Sequence, residues 1–263
     1  MTANDPFFDV PHRPHPTSLG NVELPIDYYD NSHCVALFTV AAGPVREKLA
    51  MHGFAPALAG GKAQLALVFF EYAHTAIGPY NEVGLASLAV PRGQPQPSLS
   101  LFQMFRNPRA RRVGTFVHNL PVTAEAAKVA GRELWGYPKF VTQLPITWGG
   151  RHFRGAVMDP TDGSTIVELA GKRGVGMPVP APGILAYSKL GSTLLQAPVD
   201  VRGRAIAAPG GSLRVRVGSS QHEMAQNLRD FELEGAKPDL VLIARHARSL
   251  LYAGEPIALP RSA

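Results

Sequence analysis

The chain has 263 residues, of which 45% are hydrophobic, with a formal net charge of +6 and a single cysteine. That length and apolar content can fill a substantial core, while one thiol excludes an intrachain disulfide and a cysteine-based zinc site. No run approaches the roughly 18 apolar residues of a spanning helix, and the basic residues are dispersed apart from Arg106, Arg109, Arg111 and Arg112, so neither a membrane nor a nucleic acid is an expected partner.

Residues 1–20 carry scattered prolines and acidic Asp5 and Asp9, with neither a basic start nor an apolar signal-like core. They are expected to form a loosely ordered arm ahead of a single domain over 21–263, in a cytoplasmic protein. The 24 prolines and 26 glycines punctuate the rest into short elements, which favours strands. Residues 35–40 and 64–74 read as strands around a short helix over 44–52, and Cys34 reads as a buried small hydrophobe. Residues 81–90 form a further strand, the proline-rich 91–98 a loop, and 112–119 another strand. The clearest helix spans 123–134, with Thr123 as its cap, Glu125 complementing its positive end and Gly136 ending it in a left-handed conformation. Antiparallel strands are expected over 140–148, 151–158 and 164–169, a further strand over 212–217, a helix over 221–231, and over 240–252 a strand followed by a second segment whose type the pattern leaves open.

Behind the helix end, Gly131 to Lys139 read Gly-Arg-Glu-Leu-Trp-Gly-Tyr-Pro-Lys. Arginine outnumbers lysine 19 to 7 in this chain, so a lysine in a rigid turn is a candidate for chemistry that arginine cannot perform. A lysine amine attacks only when neutral. Its reference value near 10.4 leaves roughly one part in a few thousand free at neutral pH, so a dry setting or a nearby cation must favour the free base. Tyr137, Pro138 and Phe140 offer an apolar setting in the immediate sequence.

The segment Gly131–Lys139 closely resembles the signature of the acetoacetate decarboxylase family, in which a Gly-Arg-Glu helix end runs into Tyr-Pro-Lys or Phe-Pro-Lys and the lysine forms a Schiff base. The register extends upstream without a gap through Gly114-Thr-Phe-Val-His118, Glu125 and Ala127, and more weakly over about residues 30–250. The resemblance implies a mainly β (α+β) fold, a cone or barrel of antiparallel strands with a few peripheral helices, assembled into a homo-oligomer. It implies a lyase that works through Lys139 without a metal or organic cofactor on a small keto acid, best a short 3-oxo acid such as acetoacetate. Two glutamates carry over by position: Glu71, at the end of the apolar strand Leu67-Val68-Phe69-Phe70, and Glu82, in Tyr80-Asn81-Glu82. Beside an iminium, one carboxylate is expected to exchange protons and the other to orient the cation. Tyr80, His118, Tyr137 and Phe140 complete the expected substrate site.

Two positions depart from the family pattern. Phe140 replaces a second lysine after the nucleophile, so activation rests on desolvation. Asn31, Ser32 and His33 stand where the family has an arginine, which leaves open what receives the substrate carboxylate; the cluster from Arg106 to Arg112 is one candidate. The same imine chemistry also serves an aldolase, dehydratase or cyclase acting on 2-oxo acids such as pyruvate. A non-catalytic small-molecule binding protein is the third reading.

Overall fold

Side-chain alternation along a few long strands decides the architecture. In the computed structural model, which describes residues 5–95 and 104–257, the chain begins with a 3-10 turn at Pro6–Phe8 and a hairpin of β1 (Arg13–Thr17) and β2 (Gly20–Leu24). There follow β3 (Ile26–Val40), α1 (Ala42–Ala50), β4 (Phe54–Pro56), β5 (Ala63–Thr75), β6 (Tyr80–Pro91), β7 (Gly114–Asn119) and α2 (Glu125–Trp135). The remainder comprises β8 (Ile146–Gly149), β9 (His152–Met158), β10 (Thr165–Lys172), β11 (Met177–Pro180), β12 (Ile184–Leu190), β13 (Thr193–Arg202) and β14 (Arg204–Ala208). It closes with β15 (Arg214–Val217), α3 (Glu223–Asp230), β16 (Leu240–Leu251) and β17 (Glu255–Pro256).

Strands β3, β5, β6, β7, β12, β13 and β16 pair in that order, and β16 pairs back onto β3, closing a barrel of seven strands. Closure removes the exposed edges that would otherwise invite strand pairing with another chain. All of these pairings are antiparallel except β7 with β12. A second sheet, in the order β15-β10-β9-β8, packs on the outside of the barrel. Leu65, Leu67 and Phe69 of β5 point outward into that layer, where Phe69 meets Phe153 edge-on with ring centroids 5.3 Å apart. Their neighbours Ala66, Val68 and Phe70 point into the barrel instead, as the two-residue period of a strand requires.

The mainly β fold expected from the sequence is the one observed, with three α-helices at its periphery among the described residues. Four local readings change. Residues 13–24, of which 13–20 lie inside the stretch expected to be a loose arm, form the β1–β2 hairpin, whose Ser18 donates to Glu133 on α2 through both its backbone N–H and its hydroxyl. Thr123 does not cap α2: the cap position is Ala124, and the Thr123 hydroxyl accepts from the Asn81 N–H at 2.9 Å. The strand expected over 140–148 begins only at Ile146. The preceding residues run extended beside 120–122, with Val122 N–H donating to Phe140 O and Thr142 N–H to Val122 O, both at 2.9 Å. Leu240 to Leu251 is one strand, interrupted by register shifts around Ala247 rather than broken into two elements. Part of the proline-rich 91–98 loop lies outside the described residues.

Candidate active site

The barrel is hollow. Side chains normally fill a barrel of about eight strands, but small residues at inward positions, Ala66, Gly84, Ala86 and Ala186, leave a cavity of about 140 Å³ to which all seven strands contribute. Lys139 enters it from outside the barrel wall. Its side chain is 7% exposed, and Nζ donates to Glu82 Oε2 at 2.6 Å, with Glu82 itself 9% exposed. Glu82 is inward on β6 because it lies opposite Phe70 of β5, and paired residues of antiparallel strands share a face. The Tyr72 hydroxyl donates to the other carboxylate oxygen at 3.4 Å. The Tyr80 ring centroid stands 5.7 Å from Nζ, and its hydroxyl is 3.1 Å from that of Tyr28.

Each part of the motif has a structural cause. Helix α2 ends at Gly136, whose φ of 69° suits a residue without a side chain, and whose added Cβ would run into the carbonyl of Lys189. The Arg132 Nε–H donates to the Lys139 carbonyl at 2.7 Å, which fixes the backbone from which the amine projects. Trp135, fully buried, donates its indole N–H to Tyr252 O and stacks on Tyr137, with centroids 5.9 Å apart. Gly131 makes the passage: a Cβ there would lie 2.5 Å from both Cδ and Cε of Lys139 and 3.2 Å from Nζ. The lysine stem therefore crosses α2 through the gap that this glycine leaves.

Of the residues singled out from the sequence, Lys139, Glu82 and Tyr137 line the cavity, and Tyr80 is buried beside them. Glu71 is not brought to Lys139. It lies one residue out of phase with Phe70 and Tyr72, opposite Asn81, and its carboxylate accepts from the Trp148 indole on β8, outside the barrel. His118 is likewise out of phase with inward Thr115 and Val117; its Nε2 meets the Ser87 hydroxyl at 2.6 Å, and burial holds its imidazole down at about 3. The Phe140 ring packs near His222, centroids 4.4 Å apart, against the outer core rather than the cavity. A cation at position 140 would thus not share the space of Lys139.

Tyr28 and Tyr72 line the site without having been expected there, and His33 lines it from the stretch that stands where the family has an arginine. Strand period supplies a signal for Tyr72, two residues after inward Phe70. Burial first, then the Glu82 charge, raises the Tyr28 and Tyr72 hydroxyls above the ordinary tyrosine range, so both remain protonated donors at neutral pH. Burial holds the His33 imidazole down at about 4, which leaves it neutral at pH 7, with Nδ1 3.1 Å from Asn31 Oδ1. Asn31 donates in turn to the Ser249 hydroxyl at 3.1 Å. A neutral Asn–His–Ser group therefore occupies the neighbourhood in which the family resemblance implies an arginine.

The arginine cluster serves the surface. Arg109 pairs with Asp200 at 2.8 Å, and Arg111 donates to the carbonyls of Met104 and Arg106. None of the four lines the cavity. Among the described residues there is no group of three histidine, cysteine or acidic side chains placed to hold a metal ion, and no helix is long and apolar enough to cross a membrane.

Fold and site together define a closed seven-stranded barrel with a lysine–carboxylate pair buried in an apolar bore. The sequence profile described as acetoacetate decarboxylase (ADC) matches residues 34–182, more than half of the chain. The chain belongs to the acetoacetate decarboxylase family. It is similar to the crystal structure of acetoacetate decarboxylase from Legionella pneumophila, with 13% identity, 95% of this chain and 93% of that one covered, and a TM-score of 0.65. It is also similar to the enduracididine biosynthesis enzyme MppR complexed with pyruvate, with 13% identity, 94% and 98% covered, and a TM-score of 0.60. An acetoacetate decarboxylase-like enzyme from Sphingomonas wittichii RW1 matches at 14% identity over 90% and 94% of the two chains, with a TM-score of 0.58. At these identities the likeness speaks for the fold. No curated protein sequence matches.

Proposed function

We propose that the protein is a lyase that decarboxylates a 3-oxo acid through a Schiff base on Lys139. The observation that carries this reading is the buried Lys139–Glu82 contact at 2.6 Å inside a largely apolar bore whose other polar side chains are uncharged. Passing one proton along that hydrogen bond converts ammonium and carboxylate into free amine and carboxylic acid, so the pair contains its own base. The amine adds to the substrate ketone and water leaves, giving a protonated imine at Nζ. The bond between the carboxylate carbon and the neighbouring carbon then breaks; its electron pair moves into the imine to form an enamine, and carbon dioxide departs. The proton that Glu82 took from Lys139 leaves with the water of imine formation, so Glu82 takes a second proton from solvent and delivers it to the enamine carbon, which regenerates the protonated imine. Water hydrolyses it to the ketone product and free Lys139. Tyr72, protonated and bonded to Glu82, orients the carboxylate for both transfers.

The lining favours this reaction over pyruvate chemistry. Decarboxylation removes the substrate's negative charge, whereas an aldolase or dehydratase must hold the carboxylate of a 2-oxo acid throughout. Among the described residues, Lys139 is the only lysine or arginine that lines the cavity. The second reading retains support from the fold likeness to MppR complexed with pyruvate. The test is borohydride reduction in the presence of acetoacetate or of pyruvate, with peptide mass analysis, alongside carbon dioxide release and aldehyde-dependent pyruvate consumption. A reduced adduct on the Lys139 peptide that is lost in Lys139→Ala establishes the nucleophile. Its absence with every keto acid would leave a non-catalytic binding protein. Pyruvate consumption without carbon dioxide release from acetoacetate would select the aldol-type reading.

A further inference from the structure

The bore extends well past the reactive pair. Glu82 marks one end on β6, and the inward positions Gly84, Ala86 and Leu88 continue from it. Six residues of strand span about 20 Å, or about 15 Å along the axis of a barrel with ordinary strand tilt. Strands β5 and β3 run alongside in register, from Tyr72 down to Ala66 and from Tyr28 down to Val35. The end remote from Lys139 is walled by Val35, Val68, Leu88 and Met104, with the neutral Thr115 opposite Leu88, while His33 and Ser249, nearer the reactive pair, are neutral as well. His33 already meets Asn31, and Thr115 donates to Leu185 O at 3.3 Å. A substrate of acetoacetate's size would occupy only the Lys139 end.

We propose that the remote half of the bore receives an unbranched apolar chain, so that the substrate carries a hydrocarbon tail on the far side of its ketone. The remote half of that depth takes about six carbons at full extension, at roughly 1.3 Å per carbon from ordinary carbon–carbon bond lengths, and an open volume of about 140 Å³ limits the tail to about three to five. This inference rests on the Schiff-base reading of Lys139 and narrows its substrate class. The small inward residues have a purpose on this account: Ala66, Gly84 and Ala86 keep open a channel that larger side chains would close. The tail must also be uncharged at its tip, because the described residues of the remote lining offer it no counter-ion, and burying an unpaired carboxylate is costly.

Borohydride trapping on the wild-type protein tests this with defined probes: acetone, methyl propyl ketone, methyl pentyl ketone, and an analogue of methyl pentyl ketone whose tail ends in a carboxylate. Half-saturating concentrations are expected to fall by about threefold to fourfold for each methylene added, the usual yield of burying one. The carboxylate-ended analogue is expected to require at least tenfold more than its neutral counterpart. In Ala86→Leu the preference is expected to move to shorter ketones. Failure to trap any ketone would sink the Schiff-base reading itself. Trapping with no dependence on chain length, or with the charged tail preferred, would overturn the tail inference and leave the Schiff base standing. The wild-type series decides even if the variant does not fold.

Discussion

Gly131→Ala sets two physical effects against each other within one methyl group. Gly131 lies inside α2 with ordinary helical backbone, so alanine gains about 1 kcal/mol of helix propensity there. The same methyl would stand 2.5 Å from Cδ and Cε of Lys139. Ordinary carbon contacts begin near 3.5 Å, so the lysine stem must move by about 1 Å or the helix must retreat. Overpacking in a close-packed site costs about 1–3 kcal/mol, which leaves the fold between unchanged and about 2 kcal/mol less stable. Misplacing a reacting group by about 1 Å costs about a hundredfold in rate. The assay compares the kcat of Gly131→Ala with its thermal midpoint and with the rate of borohydride trapping at Lys139. Both kcat and trapping are expected to fall by about two orders of magnitude while the protein remains folded. Wild-type kcat in a folded Gly131→Ala would refute the claim that this glycine exists to let the lysine through.

Glu82→Gln should lower kcat by about 10²–10⁴-fold, the usual yield of a general acid–base, with Lys139 still detectable by trapping; an undiminished rate would remove Glu82 from the chemistry. Glu71→Gln should leave kcat within about threefold, because that carboxylate meets Trp148 outside the barrel, and a loss as large as that of Glu82→Gln would overturn this placement. Burial holds His33 at about 4 against an ordinary 6.5, so above pH 6.5 it is neutral folded or unfolded and its contribution is complete. As the pH falls from 6.5 towards 4 the unfolded chain gains a proton that the folded chain refuses, at a cost approaching about 3 kcal/mol. Denaturant titrations should show a shallower loss of stability over that window in His33→Gln, and identical slopes would contradict it. Phe140→Lys should give no gain in kcat and a lower midpoint, since residue 140 packs near His222 away from the cavity; a faster variant would show that position 140 reaches Lys139.

The sequence by itself determined the composition of the site's centre and most of the elements around it. A scarce lysine behind Gly136 and Pro138 marked the proposed nucleophile, the left-handed turn at Gly136 is where the helix pattern placed it, and the strand periods around 64–74 and 81–90 are those observed. Register was the part that a linear pattern did not deliver. Tyr72 lies opposite Tyr80, and Phe70 opposite Glu82, so every even-numbered position of that stretch of β5 faces inward with Glu82 while Glu71 faces out. Two glutamates expected to share a pocket are thereby put on opposite faces of one sheet. The same parity sends His118 outward, and the extended run after Pro138 does so for Phe140, because neighbours along an extended chain point to opposite sides. Only barrel closure decided the rest. It brought Tyr28, His33 and Ser249 from β3 and β16 around the Lys139–Glu82 pair, although Ser249 lies more than two hundred residues from the other two along the chain. Local propensity does not encode such distances; the pairing of β16 with β3 does.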